Sequence, residues 1–175
     1  MGLFFDVLSA INNPNQQASV EQLGGLTNEV QQVAGKFGLD ASATQSVVSV
    51  IGSQLRPALQ QQATSGNPLD IAGLIGQVTG GGSNLGALQS IIPPQAQELL
   101  LQGIAGKTGL SASSAGELLP SLLPTVLKFL NLGAPTPGST ATNPLLTGFL
   151  DADKDGDVDL GDVFKFATRF LNPPR

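Results

Sequence analysis

Apolar residues recur at steps of three and four along most of the first 131 residues, which is the spacing of amphipathic helices. Val47, Val48, Ile51 and Leu55 show this spacing within one segment. The pattern predicts an all-α fold, a helical bundle.

Two segments with this pattern resemble each other at an offset of 71 residues, 31-QQVAGKFGLDASATQSVVSVIGSQL-55 and 102-QGIAGKTGLSASSAGELLPSLLPTV-126. The identical pairs are Gln31 and Gln102, Ala34 and Ala105, Gly35 and Gly106, Lys36 and Lys107, Gly38 and Gly109, Leu39 and Leu110, Ala41 and Ala112, and Ser42 and Ser113. We interpret them as a duplicated helix-turn-helix, with repeats at about 26–63 and 97–131.

Each repeat carries signals for a helix end and a new helix start. The glycines of GKFG and GKTG suit the left-handed conformation that ends a helix. Asp40 or Ser42 is expected to cap the next helix in the first repeat, and Ser111 or Ser114 in the second. Ser114 and Glu117 have the spacing of a capping box.

Prolines and lysines complete the pattern in these repeats. Pro57, Pro120 and Pro124 are expected to start, kink or end helices.

Lys36 and Lys107 fall at helix C-terminal turns, where the helix dipole favours cations. A phosphate-binding role is the alternative, but a lone GK is a very weak signal for it.

The opening MGLFFDVL, the two G-K-x-G-L-[DS]-x-S turns and the run ELLPSLLPTVLKFL resemble the bacterial YidB-like family over residues 1–131. The resemblance implies a small all-helical bacterial domain without an established biochemical activity.

Two stretches poor in charge and rich in turn residues are predicted joints. The stretch 79-TGGGSNLG-86 separates the repeats, and 132-LGAPTPGSTATNP-144 follows the second one. We therefore divide the chain into a helical domain (1–131), a linker (132–143) and a C-terminal unit (144–175).

Composition removes several classes of chemistry. The 175 residues contain no His, Cys, Trp or Tyr, so zinc sites of the usual ligands and Ser-His or Cys-His nucleophile pairs are excluded. The seven acids before residue 151 are scattered, and we expect no enzymatic activity; they are Asp6, Glu21, Glu29, Asp40, Asp70, Glu98 and Glu117. A net charge of −5 without a basic patch argues against nucleic-acid binding.

Location is predicted from the apolar segments. No run of 18 consecutive apolar residues occurs, so no membrane span is predicted. The N-terminal apolar run has no preceding Lys or Arg and contains Asp6, which does not fit a signal peptide. These features favour a cytoplasmic protein.

Charge is concentrated in the stretch 150-LDADKDGDVDLGDVF-164. Its candidate metal ligands are Asp151, Asp153, Asp155, Asp157, Asp159 and Asp162. Side-chain oxygens fall at loop positions 1, 3, 5, 9 and 12, Gly156 takes the sharp turn at position 6, and Asp157 offers its carbonyl at position 7. This is the pattern of an EF-hand calcium loop.

A hard cation accounts for this spacing. Five carboxylates that face one point repel each other, by about 1 kcal/mol per pair at 4 Å in water, and Ca²⁺ turns the repulsion into attraction. Mg²⁺ is the alternative ion for the same ligands. The competing interpretation is a solvated acidic turn that binds nothing.

Short helices are expected on both sides of the loop. Asn143 and Pro144 suit the start of the first helix. In the second, Val163, Phe166, Ala167 and Phe170 share one face, which we expect to pack against Leu146, Phe149 and Leu150, whereas Phe164 lies off it.

Asp162, where most EF-hands have glutamate, and the following VFKFATRFL resemble the loops of dockerin modules over residues 149–171. Dockerins carry two such loops and bind cohesins, whereas this chain has one. The single loop puts a cohesin partner in doubt, and only the metal ligands are carried over from the resemblance.

A single EF-hand leaves Val158, at loop position 8, without its usual pairing partner. Either two chains pair their loops in a calcium-promoted homodimer, or the hand packs against the helical body. The leading hypothesis is a non-enzymatic calcium-binding protein, with a sensor or a structural site. The alternative is a scaffold or protein-interaction module, with an unidentified partner, in which calcium only stabilises.

Overall fold

The described part of the chain is helical almost throughout. The computed structural model describes residues 3–16, 18–65, 73, 75–78, 85–134, 136, 143–151 and 160–173, and no β-strand occurs among them. The helices are α1 (Leu3–Asn12), α2 (Val20–Lys36), α3 (Ala41–Ser65), α4 (Leu85–Ile91), α5 (Pro94–Thr108), α6 (Ala112–Asn131), α7 (Pro144–Asp151) and α8 (Leu160–Leu171). The all-α prediction is confirmed.

The α2–α3 and α5–α6 turns each contain a glycine in the left-handed region. Gly38 has φ +70° and Gly109 has φ +72°, a conformation that glycine adopts without the steric cost of a Cβ. Each turn lets its helix end and the next begin within a few residues.

The new helices are capped by the first of the two candidates in each turn. Asp40 Oδ1 accepts a hydrogen bond from the Ala43 amide at 2.6 Å, and Ser111 Oγ accepts one from the Ser114 amide at 3.2 Å. The predicted capping box at Ser114 and Glu117 is wrong, because α6 already begins at Ala112 and Ser114 lies inside its first turn.

The three prolines predicted to start, kink or end helices lie inside two of them. Pro57 is within α3, and Pro120 and Pro124 are within α6. An interior proline costs a helix about 3 kcal/mol, but the neighbouring Leu55 and Leu59 are completely buried on either side of Pro57. The packing of that face keeps the helix continuous.

Helix α3 is at the centre of the bundle. It contacts α2, α4, α5, α7 and α8, while α6 packs on α2 and α5. Its stripe Val47, Val48, Ile51 and Leu55 is buried in the main core cluster, as the sequence pattern predicted.

The C-terminal helices belong to this same core. Phe149 of α7 and Val163 of α8 are completely buried, and both lie in the cluster that contains the α3 stripe. Helix α7 packs mainly on α1, and α8 contacts α1, α2 and α3.

The described residues of the predicted linker also contact the body. The Thr136 amide donates to the Asn15 carbonyl at 3.0 Å. Asn143 Nδ2 donates to the Leu130 carbonyl at 3.0 Å, and Asn143 Oδ1 caps α7 by accepting from the Leu146 amide at 3.1 Å. The predicted joint at 79–86 lies outside the described residues except for Leu85 and Gly86, which begin α4.

The prediction of which α8 face is buried was wrong in part. Val163 and Ala167 are buried as expected, but Phe166 and Phe170 are 42% and 49% exposed, and Phe164 is buried. Phe164 lines a small apolar cavity with Leu26, Val48 and Phe129, whereas the Phe166 ring packs on Phe4. The body covers the side of α8 that carries Phe164.

Space at residue 52 allows α8 to approach α3 closely. An ideal Cβ on Gly52 would lie 3.0 Å from Leu160 Cδ1 and 3.1 Å from Leu160 Cβ. Contacts this short force neighbouring atoms to move. A larger residue at position 52 would therefore push α8 off α3.

Gly52→Val should lower the free energy of unfolding by about 1–3 kcal/mol, because overpacking displaces the start of α8. The matched control is Gly25→Val on α2, where a Cβ meets nothing within 4 Å; it should change stability by less than about 0.5 kcal/mol. Urea unfolding followed by circular dichroism measures both. Equal effects of the two variants would contradict close α3–α8 packing.

Candidate metal centre

Four of the six predicted ligands lie outside the described residues: Asp153, Asp155, Asp157 and Asp159. The backbone of Asp151 ends α7, but its side chain is also outside the described part. The remaining ligand, Asp162, is described and lies partly buried in the first turn of α8.

Helix α3 holds the end of α7 just before the first predicted ligand. Gln60 Nε2 donates a hydrogen bond to the Leu150 carbonyl at 2.8 Å. One turn earlier on α3, the Arg56 guanidinium carbon lies 5.1 Å from the centre of the Phe149 ring, within the range of a cation–π contact. These contacts place Asp151 beside α3.

The same helix holds the start of α8. Gln45 Nε2 donates to Asp162 Oδ1 at 3.1 Å, and Gly52 accommodates Leu160. An amide that bonds one carboxylate oxygen fixes the orientation of the carboxylate, which is how second-layer residues commonly support metal ligands.

Residues 45, 52, 56 and 60 all face the same side of α3. Their spacings of 7, 4 and 4 residues bring them within about 80° of arc at 3.6 residues per turn. Both ends of the segment 152–159 are therefore attached to one face of one continuous helix, at points about 22 Å apart along its axis. The attachment holds the flanks of the segment on α3 and does not by itself bring Asp151 and Asp162 together.

Gln45 and Gln60 were missed by sequence reasoning. Gln45 and Asp162 are 117 positions apart, and Gln60 and Leu150 are 90 apart. No local pattern distinguishes these two glutamines from others in the chain, so no signal in a single sequence would have found them.

Two acids outside the loop have structural roles. Asp40 caps α3, and Glu29 Oε1 lies 3.5 Å from Lys128 Nζ in a salt bridge. Lys36 and Lys107 lie in the last turns of α2 and α5, where the helix dipole favours cations.

No group of three or more His, Cys, Asp or Glu side chains that could hold a metal occurs among the described residues. Since five of the six candidate side chains are outside that part, the calcium site stays a prediction. None of the helices within the described ranges is both long and apolar enough to cross a membrane.

Comparison with known proteins gives one family. Residues 21–98 and 94–133 match the model of a family described as bacterial protein of unknown function (DUF937). Neither the curated proteins nor the solved structures give a match.

Gln60→Ala should lower the free energy of unfolding by about 0.5–1.5 kcal/mol, because it removes the hydrogen bond to the end of α7. The matched control is the neighbouring Gln61→Ala, whose exposed side chain should matter by less than about 0.5 kcal/mol. Chemical unfolding at one fixed calcium concentration compares them. A Gln60 variant as stable as the control would show that this bond does not hold α7.

Proposed function

This chain belongs to a bacterial family of unknown function (DUF937), and we propose that it is a non-enzymatic protein that binds one Ca²⁺ ion between α7 and α8. The observation that carries the proposal is the spacing of the aspartates and Gly156 in the segment 151–162, and the attachment of both flanks of this segment to α3 supports it. A loop rich in carboxylates that is held at both ends loses less conformational freedom when it closes around an ion.

The side chains proposed as ligands are those of Asp151, Asp153, Asp155, Asp159 and Asp162, with Asp157 contributing its carbonyl. Ca²⁺ accepts six to eight oxygen ligands in loose geometry, whereas Mg²⁺ demands a near-ideal octahedron. We therefore propose Ca²⁺ as the preferred ion and Mg²⁺ as a weaker competitor at the same site.

Of the sensor and structural roles, the packing of the flanking helices favours the structural one. Phe149 and Val163 are completely buried in the core cluster. A sensor helix must leave its neighbours to expose apolar surface, and here that would uncover both side chains. The proposed ion instead links the end of α7 to the start of α8 and stabilises both.

We also propose four further features of this protein. They are a YidB-like domain at residues 1–131, a duplicated helix-turn-helix at 26–63 and 97–131, an EF-hand at 144–175, and a cytoplasmic location. The similar turns at Gly38 and Gly109 support the duplication.

Titration with Ca²⁺ should show one site with a dissociation constant in the micromolar range. Asp151→Ala should weaken binding at least tenfold, because it removes the ligand at loop position 1. Isothermal titration calorimetry measures both, and Glu98→Gln, which changes an exposed acid on α5, is the control that should bind like wild type.

Calcium at a hundred times its dissociation constant should stabilise the folded chain by about 2.7 kcal/mol, measured as a rise in melting temperature. Hydrophobic-dye binding should be the same with and without calcium if the site is structural. Absence of binding heat at millimolar Ca²⁺, or equal binding by Asp151→Ala, would exclude the site.

We also propose that two copies of the chain form a homodimer through their loops, because Val158 at loop position 8 of one chain would pair with Val158 of the other. Sedimentation velocity should then show a dimer in calcium and a monomer in chelator. A monomer in both conditions rejects the dimer without affecting the metal proposal.

The alternative function is a helical interaction module in which calcium only stabilises. A cavity of about 220 Å³ between α5 and α6, with Leu101, Leu119 and Leu123 in its wall, favours it. Affinity capture with wild type and Asp151→Ala separates the two hypotheses. The alternative expects the same protein partner with both baits.

A further inference from the structure

Half of the phenylalanines lie together where α1 and α8 meet, and most of them are exposed. We define the aromatic patch as Phe4, Phe5, Phe166 and Phe170. The ring centres of Phe4 and Phe166 are 5.5 Å apart, and those of Phe4 and Phe5 are 6.2 Å apart. Phe170 follows Phe166 by one helical turn, so it extends the same surface.

Exposure of these rings is unusual for a core-forming residue type. Phe5 is 63% exposed, Phe166 42% and Phe170 49%, whereas Phe149 is completely buried. The largest contiguous apolar patch on a protein surface is often functional.

Cations accompany the aromatic rings along α8. Lys165 precedes Phe166 and Arg169 precedes Phe170, which gives a basic row beside an aromatic row on the outer side of the helix. Both cations are exposed, and neither forms a salt bridge with a described carboxylate. They also line a cavity of about 610 Å³ that α8 shares with the start of α3.

The acid nearest to the patch along α1 is Asp6, which follows Phe5. Burial raises the pKa of the Asp6 carboxyl, while the N-terminal ammonium partly lowers it. The patch thus carries two positive charges on α8 and one acid on α1, although the chain as a whole has net charge −5.

A second copy of the chain fits this surface less well than a bilayer does. At about 200 Å² for each phenylalanine, the exposed parts of the three rings provide roughly 300 Å². A stable protein interface buries about 800 Å² on each partner. Interfacial helices need only a few aromatic side chains at the acyl boundary and cations at the lipid phosphates.

We propose that the aromatic patch and the adjoining Lys165 and Arg169 form a peripheral binding surface for an anionic phospholipid bilayer. The phenyl rings enter the headgroup–acyl boundary, and the two cations contact lipid phosphates from beside them. The inner side of α8 stays packed on α3, so no helix has to leave the bundle. This surface does not depend on the proposed calcium loop.

Co-sedimentation with vesicles tests the proposal, with calcium at one fixed concentration in all samples. Wild type should bind vesicles of phosphatidylglycerol and phosphatidylcholine, bind pure phosphatidylcholine at least tenfold more weakly, and release as salt rises to about 0.5 M. The variants Phe166→Ser/Phe170→Ser and Lys165→Gln/Arg169→Gln should each bind the anionic vesicles at least tenfold more weakly.

The matched control is Leu99→Ser, which removes an apolar side chain that is 55% exposed on α5, away from the patch. It should bind within twofold of wild type. Circular dichroism melts verify that every variant is folded. Failure of wild type to bind anionic vesicles, or an equal loss in the control, would overturn the proposal. So would a dimer that dissociates in Phe166→Ser/Phe170→Ser without vesicle binding, since a second copy would then be the partner.

Discussion

Where α8 crosses α3, the missing side chain of Gly52 leaves room for Leu160, and the two helices approach closely there. In this orientation of α8, Val163 and Phe164 lie inside the bundle, and residues of α2, α3 and α6 surround Phe164. Phe166 and Phe170 remain outside. The position of Asp162 and the aromatic patch thus both depend on how α8 packs on the body.

Features that depend on neighbouring residues were predictable from the sequence. The buried stripe of α3 follows from three- and four-residue spacing, and the turns at Gly38 and Gly109 follow from the backbone conformation that glycine permits. For each of the two helix N-caps the sequence predicted two candidate residues, and in the structure the caps are Asp40 and Ser111. These features are determined within about one helical turn, so the local sequence contains the relevant information.

Features that depend on tertiary packing were not predictable in the same way. The apolar residues of α8 span an arc of about 160°, with Phe164 at one edge and Phe166 at the other, so periodicity alone cannot identify which edge the body covers. The choice between Phe164 and Phe166 is made by tertiary contacts with α2, α3 and α6, which are distant from α8 in the chain. Gln45 and Gln60 are a similar case, because their partners come from α7 and α8. For the candidate site, the sequence indicated the ligands and the structure added the residues that hold their flanks.

The attachment of α8 to α3 also constrains what an ion between α7 and α8 is able to do. Charge compensation by the proposed ion would act at Asp162, in the first turn of α8, whereas Val163 and Phe164 keep that helix in the core. To move α8 as a unit, the ion would have to uncover these two side chains, and the burial of each resists this by about 1.5–3 kcal/mol. We therefore expect charge compensation to change the stability of the α7–α8 connection far more than the orientation of the outer face of α8, so that the proposed metal loop and the aromatic patch act as separate sites.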